Sequence, residues 1–178
     1  MAGNKTGVYD FSKTIVTIRH PLYDGIVKID GFMNDTTINV QRDDPRWTRN
    51  SSGDGKASTL VRNPINAGTI SFTLNQSTDG LAKMNAIAQY ANVSDGHDIM
   101  FEITVADKSS GSIHYCRDAI VGDPESVEYG REENGREWSI QCGELVNNIN
   151  GAAKMPRETL EFIQALGFTV DETRVAAY

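Results

Sequence analysis

The feature that most restricts what this chain can fold into is a two-residue periodicity. In "GTISFTLN" (68–75), Ile70, Phe72 and Leu74 share one parity, and Thr69, Ser71, Thr73 and Asn75 the other. Successive side chains of a strand point to opposite faces, so the spacing predicts one face in a core and the other polar. The same alternation recurs in "KTIVTIR", "IVKIDGF", "TTINVQ", "IMFEITVA" (Ile99, Phe101, Ile103, Val105), "SIHYCRDAI", "ESVEYG" and "REWSIQCG". Roughly eight or nine short strands, cut by Gly, Pro and Asp turns, predict a mainly β fold, a β-sandwich or half-barrel. One helix interrupts them. In "STDGLAKMNAIAQYAN", Leu81, Met84, Ile87, Ala88 and Ala91 recur at helical spacing, with Thr78 or Asp79 as N-cap, so this element flanks the sheet. A short C-terminal helix is predicted in "PRETLEFIQALG", opened by Pro156 and closed by Gly167, with Leu160, Ile163 and Leu166 as its apolar stripe. About ten residues make a marginal helix in water, so it must dock on this domain or on a neighbour.

One stretch breaks the rhythm. "QRDDPRWTRNSSGDGKAST", Gln41 to Thr59, is polar, charged and rich in turn formers, and carries Trp47. Connections longer than about 12–15 residues are usually functional or disordered. It reads as an active-site loop, a spacer, or an arm awaiting a partner.

The chemistry of the remaining residues narrows that choice. At 178 residues one domain is expected, and the net charge of −7 argues against gripping nucleic acid, which needs Lys and Arg. No apolar run approaches the roughly 20 residues that span a bilayer, and the N-terminus lacks the apolar core of a secretory signal, which points to a cytoplasm-like compartment. In such a compartment Cys116 and Cys142, each within a strand-like run, are expected as buried free thiols. His20, His97 and His114 have no metal-ligand spacing. "GDGKAS" lacks the leading glycine and the hydroxyl of a phosphate loop, and no GxSxG elbow is present. Asp43 and Asp44 could be paired carboxylates, but Arg42, Arg46 and Arg49 beside them read as charge-neutralising surface partners. No catalytic, cofactor or metal site is expected.

The order of elements resembles the tube proteins of contractile phage tails. The residues that carry the likeness are "YDFSKTIVTI", the turn into "GIVKIDGF", and "INVQRDD" followed by a polar arm. It continues through "NAGTISFTLNQSTDGLAKMNAIAQ" and "CRDAIVGDPESVEYGREENGREWSIQCGEL", where Pro124, Tyr129, Trp138, Ile140 and Gly143 match a recurrent run. The likeness spans residues 8–151, which gives a tube-type domain at 1–151 and a C-terminal extension at 152–178. It implies six copies closing into a ring, with rings stacking into a hollow tube in the virion after assembly in the host cytoplasm. The implied partners are further copies of the chain, the tail sheath, the baseplate and the tail terminator. Tape measure protein and DNA would pass through the lumen without specific binding, and no membrane is involved. A secretion-system tube protein shares this architecture. A carbohydrate-binding or adhesin-like sandwich, using Trp47, Tyr90 and Tyr115, stands as the alternative from another class.

On this resemblance Gln41–Thr59 becomes an inter-subunit arm. Arg42, Arg46, Arg49 and Lys56 would pair across interfaces with Asp43, Asp44 and Asp54, and Trp47 would be the anchor. A bore that lets a polyanion slide should be neutral or acidic, since a basic wall gains counterion release at every phosphate. The uncharged strand faces holding Thr37, Asn39, Thr69, Ser71 and Thr73 are expected to line it, along with the faces of Lys28, Asp30 and Glu102.

Overall fold

The structure, a computed structural model, describes residues 7–54, 56–124, 126–130, 134–150 and 157–169. Its strands are β1 (Thr14–Arg19), β2 (Val27–Ile29), β3 (Asn39–Arg42), β4 (Trp47–Ser51), β5 (Ser58–Arg62), β6 (Gly68–Asn75), β7 (Phe101–Asp107), β8 (Ser112–Val121) and β9 (Gly135–Asn148). Two helices accompany them, α1 (Asp79–Val93) and α2 (Arg157–Ala165). Seven strands form one sheet in the order β2-β1-β7-β8-β9-β6-β3, while β4 and β5 pair with each other. Every pairing is antiparallel.

The sheet curls around a single core. Val16, Ile18 and Ile103 from one half pack in the same cluster as Ile70, Phe72, Trp138 and Ile140 from the other. The chain leaving β2 meets β6 at one corner. Phe32 bridges Leu74, the Met33 N–H donates to the Thr73 carbonyl at 3.2 Å, and the Asn75 N–H donates to the Gly31 carbonyl at 2.9 Å. Gly31 makes this possible with φ of 79°, a left-handed conformation that a side chain disfavours. The result is a mainly β half-barrel that stops short of closure among the described residues. The expected inward residues of β6 and β7 are buried, and α1 covers the core through Met84 and Ala88. Gly80, in its first turn, sits so close to Asp30 that a Cβ would overlap the Asp30 carbonyl oxygen.

Three expectations are corrected. "ESVEYG" forms no strand over its described residues, 126–130. β8 ends with Val121 opposite Ile140, and beyond it the Tyr129 ring stacks on the Arg136 guanidinium, 4.9 Å away, rather than extending the ladder. Ile99 belongs to a short 3-10 turn, His97–Ile99, ahead of β7. Cys116 and Cys142 are joined in a disulfide, not free.

The disulfide has a local cause. Along β8 the buried residues run Cys116 then Ala119, and along β9 Cys142 then Leu145. Each strand thus holds two residues where strict alternation allows one. The β8–β9 register stays continuous, with Cys116 opposite Leu145 and Ala119 opposite Cys142. Against β7, which has a single residue between Phe101 and Ile103, β8 is bulged. The same holds for β9 on its other side: Gly68 pairs with Cys142, and the Leu145 N–H donates to the Asn66 carbonyl at 2.8 Å. The double bulge uses Asp118 at φ of 53° and places Gly143 against it. It draws the diagonal cysteines to 5.6 Å between Cα atoms, within the range a disulfide spans.

Candidate assembly surface

The stretch expected as an irregular arm is an ordered ribbon. Gln41 and Arg42 still belong to β3, and β4 and β5 then form a hairpin that continues past Thr59 to Arg62. Thr48 faces Val61, Arg49 faces Leu60, and Trp47 faces Arg62. All ten strand residues of this hairpin are exposed, so it has no core of its own. An isolated two-stranded hairpin is marginal at best in water.

Within the subunit, two of the expected interface cations, Arg42 and Arg46, bond to the root of the arm. Arg42 Nη1 and Arg46 Nη1 both donate to Asn66 Oδ1, at 2.9 and 2.7 Å, and Arg42 Nη2 reaches the Leu145 carbonyl at 3.4 Å. Asp43 Oδ1 accepts from the Thr69 hydroxyl at 3.0 Å. These bonds aim the ribbon. No ion pair among the described residues joins Asp43 or Asp44 to the nearby arginines, where charge-neutralised pairs were expected. Asp54 shapes the tip: the Ser52 hydroxyl and the Lys56 N–H donate to it, and both hold its carboxyl below the usual pKa. Beyond the root, Trp47, Arg49 and Lys56 remain outward. Leu60 and Arg62, on the same hairpin face as Trp47 and Arg49, lay outside the sequence boundary of the arm.

The candidate bore residues fall into two groups. Asn39, Thr69, Ser71 and Thr73 share one face of β3 and β6, with Asn39 opposite Ser71 and Gln41 opposite Thr69. β9 extends this face, placing Gln141 beside Thr69, Ser139 beside Ser71 and Glu137 beside Thr73. These hydroxyls and amides, with Glu137, floor an open groove of about 730 Å³. Thr37 precedes β3 and is exposed. Lys28 and Glu102 lie on the opposite flank, on β2 and β7, and Asp30 just follows β2. Since the sheet wraps one core, the outer faces of β6 and β7 point away from each other. The eight candidates therefore occupy two walls. The second wall is charged: Glu102 interacts with Tyr115, whose pKa is raised by burial and by that hydrogen bond, and Arg117 lies 3.6 Å from Glu144.

α2 ends as its sequence suggests. Gly167, at φ of 85°, donates to the Gln164 carbonyl at 2.9 Å and Phe168 to that of Ile163 at 3.3 Å, a Schellman cap. Phe162, Leu166 and Phe168 stay exposed, so of the two expected docking sites, this domain or a neighbour, this domain does not cover them. Pro156 lies outside the described residues. Among the described residues no three His, Cys, Asp or Glu side chains gather as a metal site, and no helix is long and apolar enough to cross a membrane.

The chain is similar to known proteins over nearly its whole length. Structural protein ORF10 of Pseudomonas phage KPP10 is 22% identical over 171 residues, covering 96% of this chain and 98% of that protein. In shape, the anti-feeding prophage tube-terminating cap gives a TM-score of 0.48 at 13% identity, over 81% of this chain and 93% of the cap chain. A chain of the PVC sheath–tube complex, from an extracellular contractile injection system, gives 0.48 at 12%, over 80% and 92%. At these scores the likeness in shape is partial, and the assignment stands on sequence. Residues 7–150 match the family model of the bacteriophage PhiTE tail tube protein, and the chain belongs to that family, a structural tail tube protein.

Proposed function

We propose that six copies of this protein close into a ring, that rings stack into a hollow tube, and that the tube is the conduit for the genome of a contractile phage. The observation that carries the reading is the exposed β4–β5 ribbon, bonded at its root and joined to no third strand along its length. Such a ribbon gains its stability from a second subunit. The sheet edges support it: β2 and β3 each have one neighbour, and open edges invite pairing. Residues 1–151 form the tube module and 152–178 an extension. Tail sheath, baseplate and terminator proteins are the outer partners; tape measure protein and DNA pass inside.

Of the two walls, the β3–β6–β9 face suits the bore. Asn39, Gln41, Thr69, Ser71, Thr73, Ser139 and Gln141 are uncharged, and Glu137 adds one negative charge. A polyanion finds no cation to trap it there. Electron microscopy of concentrated purified protein tests the reading. Six-fold rings or tubes with this face inward are expected. A chain that stays monomeric at every concentration, or a bore lined by Lys and Arg, overturns it.

A further inference from the structure

The arm has two unlike faces. Alternation places Trp47, Arg49, Leu60 and Arg62 on one side and Thr48, Asn50, Thr59 and Val61 on the other. The first combines two guanidiniums with a half-exposed Trp (57%) and a Leu (67%), and no carboxylate shares it. Arg49 has one long bond, 3.5 Å, to the Ser58 hydroxyl. A face of this make-up calls for an acceptor that is both anionic and apolar, the pairing in which charge gives register and the aromatic gives hold.

One surface of the same chain has that character. In the connection between β8 and β9, Val127, Glu128 and Tyr129 are exposed side by side. The connection is pinned at two points. Asp123 accepts from Gln89 Nε2 at 3.2 Å and Asn92 Nδ2 at 2.8 Å on α1, and Tyr129 stacks on Arg136. Between the pins, Glu128 is exposed, lies between Val127 and Tyr129 in sequence, and lines the rim of the groove over β3, β6 and β9. Among the described residues, the exposed turn of Leu22, Tyr23 and Ile26 with Asp24 sits beside β1 and β2, away from the arm's wall, and Val8 and Tyr9 with Asp10 lie just ahead of β1.

Position along the ladder adds a second argument. The arm leaves the β6–β9 ladder at the rung where Gly68 faces Cys142, and the β8–β9 connection rejoins it at the rung where Asn75 faces Gly135. Seven residues at roughly 3.3 Å each separate the two by about 23 Å on one wall. Giver and receiver thus lie at opposite ends of the same wall. A contact between unlike patches is heterologous, and repeated by translation it grows an open-ended stack.

We infer that the Trp47–Arg49–Leu60–Arg62 face of one copy docks on Val127, Glu128 and Tyr129 of a second copy in the next ring. The inference rests on the tube reading and names the partner surface of its arm. Charge reversal tests it. Arg49→Glu with Arg62→Glu, and separately Glu128→Arg, are measured by sedimentation and electron microscopy against the unaltered chain, with circular dichroism to show that each variant is folded. Both variants should raise the critical concentration for polymers on the order of tenfold or more, since like charges meet at the contact. The chain carrying all three changes should recover much of the loss. A Glu128→Arg variant that polymerises like the unaltered chain overturns the inference, as does a triple variant no better than the arm variant. An unaltered chain that forms no polymer overturns the tube reading instead.

Discussion

β5 and β6 are consecutive strands five residues apart, yet they live in different surroundings. In β6 every second residue, Ile70, Phe72 and Leu74, is sealed at 1% exposure or less. In β5 and its partner β4 every residue faces solvent, Leu60 and Val61 included. The difference teaches that a strand pattern states which residues share a side, and leaves open whether that side is covered by this chain or by another. One strand stores the stability of the subunit. On the proposed function, the other stores its capacity to assemble. Changes in the first should move unfolding and spare assembly, and changes in the second should do the reverse.

The sharpest break would come from the arm itself. Replacing residues 47–62 with a short Gly-Ser turn should abolish polymers while leaving the melting temperature within a few degrees, read by sedimentation and calorimetry. Tubes of normal length from that variant would erase the contrast. Phe72→Ala should cost about 3–5 kcal/mol in urea unfolding, the range for a buried Phe. A loss below about 1 kcal/mol would mean the faces of β6 are reversed.

Removing the disulfide with Cys116→Ala and Cys142→Ala should cost about 3 kcal/mol, for the 26-residue separation it closes, read by the same unfolding assay. Trp47→Ala should weaken ring-to-ring contact by about 2 kcal/mol per site, seen as a higher critical concentration, with unfolding unchanged. The smallest effect is a pH dependence. Burial of Asp107 would raise its pKa, but hydrogen bonds from Ser109 and Ser110 outweigh it and hold the carboxyl below its usual value. A carboxylate with a lowered folded-state pKa adds stability above the ordinary carboxylate range and loses it as pH falls through the folded value. Asp107→Asn should therefore flatten the acid limb of the unfolding curve and leave polymer formation at neutral pH untouched.

Much of the fold was legible because local and global preferences agree. The faces of β6 and β7 and the core stripe of α1 follow from spacing alone. The arm was legible as an exception to that spacing, but its end was not. "STLVR" sets Leu60 and Val61 side by side, one on each face, so no alternation marks it as a strand of the arm. The roles of Arg42 and Arg46 were hidden for a related reason: their acceptor, Asn66, lies 24 and 20 residues further on, and only the return of the chain to β6 brings it to them. The cysteine pairing escaped because it depends on a bulge shared by two strands, and no periodicity within either strand announces its partner's slip.

That shared bulge has a consequence for how the chain can change. β8 and β9 lose phase together, at Arg117–Asp118 and Gly143–Glu144. Deleting one residue from β8 alone would turn Cys116 and everything before it in that strand inside out, while β9 kept its facing. Deleting one from each would restore plain alternation and leave both strands consistent. Length changes at this rung can therefore be inherited only as a pair, like two teeth cut from meshed gears, and related tubes should differ here by both residues or by neither.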